Sequence, residues 1–130
     1  MAGYRSNLSR ARGLGTARHG VGQWISERVS SVALIPLTLW LVWAGLTLPK
    51  AGYAGAVVWL RSPLNAVLVA LLVVVGFWHM AIGMRVIIED YIHKAGSKAV
   101  LLLLNLFLCT LAGALALFCV LKIALGAGAV

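Results

Sequence analysis

The chain has 130 residues, of which 62% are hydrophobic and only 11% charged, with a mean hydropathy of +1.00. A water-soluble domain needs a surface rich in Lys, Glu, Asp and Arg, so this composition excludes one and indicates a membrane protein. The net charge of +8 does not signal nucleic acid, because the basic residues flank apolar stretches and form no patch interleaved with aromatics.

The N-terminal arm, residues 1–22, carries Arg5, Arg10, Arg12 and Arg18 among Gly and Ser and has no acid. It reads as a basic cytoplasmic arm, irregular until it docks on a partner. A transit peptide is the alternative, but no small-residue cleavage pattern follows an apolar core, which favours the arm. Residues 23–130 form one anchor domain. Gly22 to Arg28 leads into the first helix and puts Trp24 at the depth where indoles favour headgroups.

Residues 29–48, 64–84 and 99–121 contain no Asp, Glu, Lys or Arg. A helix rising ~1.5 Å per residue crosses a hydrocarbon core of ~30 Å in about 20 residues, so each stretch predicts a transmembrane helix. The spans are placed at about 29–48, 64–88 and 99–121. Pro36 is expected to kink the first of them, with neighbouring helices offsetting the lost backbone bond. The first connection, 49–63, holds Gly52, Tyr53, Gly55 and Trp59 and reads as an interfacial loop. The second, 89–98, is short and polar, which forces antiparallel neighbours. The fold expected is an all-α integral membrane protein with three transmembrane helices in an up-down-up bundle.

Arg28 and the basic arm precede the first span, and Arg85, Lys94 and Lys98 lie near the second connection. By the positive-inside bias both regions face the cytoplasm and the C-terminus lies on the opposite side, with Lys122 snorkelling outward. Cys109 and Cys119 sit ten residues apart on one helix, about 15 Å, which forbids a mutual disulfide. Both read as small apolar packing residues.

His79 lies inside the second span between Trp78 and Met80. An ionisable side chain there is costly and calls for a function. Neutral imidazole suits a low-dielectric site and is a common haem-iron ligand. The plainer alternative is a histidine hydrogen-bonded to a serine or carbonyl on the next helix. Gly76 and Gly83, three before and four after, share the His79 face and clear room for either a flat macrocycle or a closely packed helix. A haem with two histidine ligands would draw its second from another polypeptide, since no other span holds a histidine.

Asp90 and Tyr91 follow eleven and twelve residues later, where the helix reaches the cytoplasmic surface. Eleven residues bring Asp90 back to the His79 face about 17 Å further along if the helix persists. A tyrosine hydroxyl there could donate to a quinone carbonyl beside a carboxylate that relays the proton, or Tyr91 could be an interfacial anchor beside a solvated acid. Arg28, at the same depth, is a partner for haem propionates or one more cytoplasmic anchor.

Two segments resemble a known family, the hydrophobic membrane anchor D subunit of bacterial succinate dehydrogenase. H-M-A-I-G-M-R-V-I-I-E-D-Y, residues 79–91, is similar to the family's H-x-x-I-G-M with a D-Y pair eleven residues after the histidine. R-H-G-V-G-Q-W-I-S-E-R, residues 18–28, is similar to the segment ending in the family's arginine. The resemblance covers residues 18–95. It implies that His79 is an axial ligand of haem b shared with a second membrane anchor subunit, C, within a heteromeric helical membrane domain. It further implies that Tyr91 hydrogen-bonds ubiquinone, that Asp90 lies beside the quinone pocket and that Arg28 lies near the haem propionates. The flavin and iron-sulfur clusters would reside on two soluble partners, a flavoprotein and an iron-sulfur subunit, at the cytoplasmic face of a bacterial inner membrane. Such a chain is no enzyme by itself. Where the family often has a histidine and an aspartate before the first helix, this chain has Gly22 and Gln23. The third span matches no motif and reads as packing. A fumarate reductase anchor and a haem-free membrane scaffold are the alternatives.

Overall fold

The computed structural model describes residues 7–8 and 20–126, so most of the basic arm lies outside the described residues. Among them the regular structure is helical, and three segments are long and apolar enough to cross a membrane. This is the expected class. In a bilayer the backbone has no water to bond, so a lone polypeptide segment crosses by satisfying its N–H and C=O groups within a helix.

Helix α1 spans Gly20–Thr47 and carries Pro36 inside it. It begins well before the charge-free stretch, so residues 20–22, assigned to the arm from sequence, are already helical. Both threonine hydroxyls on α1 are satisfied within the helix. Thr38 Oγ1 donates to the Leu34 carbonyl at 2.7 Å and Thr47 Oγ1 to the Ala44 carbonyl at 3.1 Å, which removes the cost of carrying a hydroxyl through lipid.

The connection between the first two spans is not the loop expected. A 3-10 turn, Leu48–Ala51, with Pro49 in its first turn, leads into a ten-residue helix, α2, Gly52–Arg61. Gly52 lies at the junction with φ of 64°, a left-handed conformation that suits glycine and redirects the chain there. Gly52 thus starts α2 and Pro63 follows its end, while Gly55 is carried inside it, and a helix keeps its backbone bonded at the membrane surface. Trp59 stacks on Trp40 of α1 with ring centroids 5.3 Å apart. The Trp59 carbonyl accepts from Asn65 Nδ2 at 2.9 Å and from the Ser62 N–H at 3.2 Å, so the C-terminal end of α2 is satisfied and pinned.

Helix α3, Pro63–Tyr91, starts on a proline whose missing N–H costs nothing at that position. Helix α4, Ala95–Ala124, follows a three-residue turn. Lys98 Nζ donates to the Glu89 carbonyl at 2.9 Å, placing a positive charge at the negative end of α3.

Helix α3 is central: it packs against α1 and against α4, while α1 and α4 do not pack on each other. The α3–α4 seam is close. A Cβ added at Gly113 would stand 3.2 Å from Phe77 Cβ, and Asn105 Nδ2 donates across the seam to the Ala81 carbonyl at 2.9 Å. Small residues and single polar bonds are what hold helices together where lipid is as apolar as leucine. Among the described residues only Ser30, Ala44, Ile88, Cys109 and Val120 are buried. The three spans therefore form an open layer whose apolar side chains meet lipid or other helices.

Candidate functional site

The site is built where α1 crosses α3. Ser30 is the one buried polar residue among those described, 6% exposed, and its Oγ lies 2.9 Å from Nδ1 of the half-buried His79. The same hydroxyl lies 3.0 Å from the Glu27 carbonyl one turn back on α1, a carbonyl that also receives Ser31 Oγ at 2.7 Å. No hydrogen bond involves the other ring nitrogen, Nε2, among the described residues. The serine contact is the arrangement that the plainer reading of His79 anticipates. It is equally what a metal-ligating imidazole needs, because a bond at one ring nitrogen fixes the tautomer and leaves the second nitrogen's lone pair for a ligand.

Open helix surface lies on either side of His79. At both Gly76 and Gly83 an added Cβ would have nothing of the described chain within 4 Å, so the face carrying His79 is open above and below the imidazole. Gly113 is the contrast, with Phe77 pressed against it. A haem fits this arrangement: the macrocycle needs clearance along the helix and one nitrogen donor from this side. No three His, Cys, Asp or Glu side chains come together among the described residues.

The other predicted residues are placed by the ends of the helices. Helix α3 persists to Tyr91, so Asp90 does return to the His79 face, about 17 Å along, and both Asp90 and Tyr91 are exposed there. Tyr91 is 77% exposed among the described residues. Arg28 is exposed too and lies over the Trp24 ring at 5.6 Å, a cation–π contact one turn toward the N-terminus. Two residues are about 200° of helix, so Arg28 and Ser30 leave α1 on opposite sides. His79 is thus brought to Ser30 and not to Arg28. Arg85 pairs with Glu89 at 2.7 Å on the exposed α3 surface.

A second feature lies on the other flank of α3. A groove of about 730 Å³ runs between α1 and α4, with Gln23, Ser26 and Arg85 at one end and Val74, Phe77 and Leu117 among its apolar lining. It contains neither His79 nor Tyr91. Sequence reasoning missed Ser30 and Asn105 as polar contacts. The available signal was that each is a hydrogen-bonding residue inside an otherwise apolar helix.

A family model described as succinate dehydrogenase/fumarate reductase transmembrane subunit matches residues 2–113. Relatives called succinate dehydrogenase hydrophobic membrane anchor subunit are found in Rickettsia conorii, 30% identical over 76% of this chain and 81% of the relative, and in Rickettsia bellii, 30% identical over 68% and 71%. The relative of the same description in Rickettsia typhi is 26% identical over 83% of this chain and 86% of its own length. No solved structure matches the chain.

Proposed function

The chain belongs to the succinate dehydrogenase/fumarate reductase transmembrane subunit family, and on that premise we propose that it anchors a succinate dehydrogenase, presents His79 as an axial ligand to a haem b, and contributes Tyr91 and Asp90 to a ubiquinone site. The observation that carries the proposal is the His79 environment: Nδ1 held by Ser30 at 2.9 Å, Nε2 without a partner among the described residues, and open helix surface at Gly76 and Gly83.

When bound, the haem supplies a one-electron carrier within the membrane. The chain's own residues do the rest. His79 directs its Nε2 lone pair outward from α3. Gly76 and Gly83 keep the flanks of that nitrogen clear. Tyr91, at the exposed end of the same helix, donates its phenolic hydrogen to a quinone carbonyl, and Asp90 beside it accepts or relays a proton as the quinone is reduced. Arg28, held over Trp24 on the side of α1 opposite Ser30, serves as a cytoplasmic-face anchor.

The open layer of spans supports a heteromeric membrane domain, because a second anchor subunit would cover the faces this chain leaves exposed and supply the other histidine. Succinate oxidation then belongs to a flavoprotein and an iron-sulfur subunit on the cytoplasmic side of a bacterial inner membrane, with the N-terminus cytoplasmic and the C-terminus periplasmic. The chain alone catalyses nothing.

Isolating the assembly through a tag on this chain tests the proposal. The expected product carries b-type haem, flavin and iron-sulfur subunits and reduces quinone with succinate. An assembly that reduces quinone yet contains no haem would leave only the anchoring role.

A further inference from the structure

We infer that Ser30 is a positioning residue for His79, acting as the hydrogen-bond acceptor that holds its imidazole as the Nδ1–H tautomer; this rests on the haem-ligand reading of His79. The number of protons on the ring and the hydroxyl sets the direction of this bond. A neutral imidazole has one N–H, and a ring that gives its Nε2 lone pair to iron must keep that hydrogen on Nδ1. Ser30 Oγ, 2.9 Å from Nδ1, then has to accept. A serine hydroxyl has a single hydrogen of its own, and it is accommodated by the Glu27 carbonyl at 3.0 Å, which can only accept. Both contacts of Ser30 are satisfied in this assignment. The reverse assignment, with Ser30 donating to Nδ1, forfeits the Glu27 contact and puts the hydrogen on the nitrogen that iron would need.

Ser30 is suited to the task by its placement. It is the buried polar residue of the α1–α3 crossing, so water does not compete for Nδ1, and its backbone is fixed within a continuous helix. The neighbouring Ser31 differs: its hydroxyl turns back to the Glu27 carbonyl at 2.7 Å and reaches no other helix. The chain Glu27 carbonyl, Ser30 hydroxyl, His79 imidazole therefore ties the rotation of the ring to the rigid backbone of α1. A hydrogen bond donated from Nδ1 also increases the electron donation of the ring through Nε2, which favours ferric over ferrous iron.

The test compares Ser30→Ala, Ser30→Thr and His79→Ala in the whole assembled complex, purified at matched subunit content. Ser30→Ala should keep the haem but raise its midpoint potential and weaken haem retention by about tenfold, within the range for outer-shell partners of metal ligands. Ser30→Thr, which restores a hydroxyl, should return the potential toward wild type. If His79→Ala removes the haem while Ser30→Ala leaves potential and retention unchanged, Ser30 is only a packing residue and this inference falls alone. If His79→Ala keeps its haem, the ligand assignment falls and takes this inference with it. A potential shift in Ser30→Ala that Ser30→Thr does not reverse also overturns it, since volume and not the hydroxyl is then responsible.

Discussion

Placing leucine at Gly83 tests whether the open face beside His79 is where another group sits. Within this chain the substitution is mild, because an added Cβ at Gly83 meets nothing within 4 Å among the described residues and leucine is a better helix former than glycine. In the assembled complex the leucine projects from the same helical face as His79, one turn on, into the room a macrocycle would use. Overpacking a close contact costs about 1–3 kcal/mol, so haem occupancy should weaken by roughly 5- to 150-fold. Gly113→Leu is the control. Its Cβ would already stand 3.2 Å from Phe77 Cβ and Cγ, so the same size of penalty falls on α3–α4 packing. Haem absorbance per assembled complex and subunit abundance in membranes separate the two. Gly83→Leu should lower the first with little change in the second, and Gly113→Leu should lower abundance. Full haem content in Gly83→Leu at normal abundance would place the haem away from this face.

Three further outcomes are expected. Tyr91→Phe removes one hydroxyl at an exposed ring, and the ratio of quinone reductase to artificial-acceptor activity should fall by less than the ~100-fold typical of a donor in a dry site; an unchanged ratio across quinone concentrations assigns Tyr91 to the interfacial belt. Asn105→Leu removes the bond to the Ala81 carbonyl, and the denaturation midpoint of the complex should drop by the equivalent of about 0.6 kcal/mol, at most ~1.7, with haem retained; no change in midpoint would show that bond to be energetically idle. Reporter fusions at the two ends of the chain should report opposite sides of the membrane, and reports from one side would contradict an odd number of spans.

The spans were legible because charge is excluded from lipid far more strictly than from any loop, so the charge-free stretches mark the helices whatever else the residues do. Their ends were not. Residues 20–28, 88–91 and 122–124 are helical although they carry or adjoin charge, since helices continue through the headgroup region and only their side chains change solvent. The glycines and prolines at 49–63 leave the connection looking like an interfacial loop from sequence. In place all but Gly55 sit at or near boundaries, and the apolar run ending in Trp59 forms a short helix.

His79 stood out as an ionisable group inside a span, and its glycine flanks were readable at helical spacing. Ser30 was not, for a physical reason: a hydroxyl in an apolar helix usually bonds back to its own backbone, as Ser31, Thr38 and Thr47 do. Only the register between α1 and α3, set by packing over the whole crossing, decides which serine meets the imidazole. The same register carries Arg28 away from that contact, a separation that its proximity to Ser30 in sequence does not reveal.

Whether His79 ligates haem is decided by the haem spectrum and stoichiometry of the complex carrying His79→Ala. The alanine leaves iron without this donor in a low-dielectric site that offers no ready substitute. The account predicts that haem is lost or weakly held while the subunits still assemble. A variant with wild-type spectrum and one full complement of haem per complex would contradict it and leave His79 as a packing partner of Ser30.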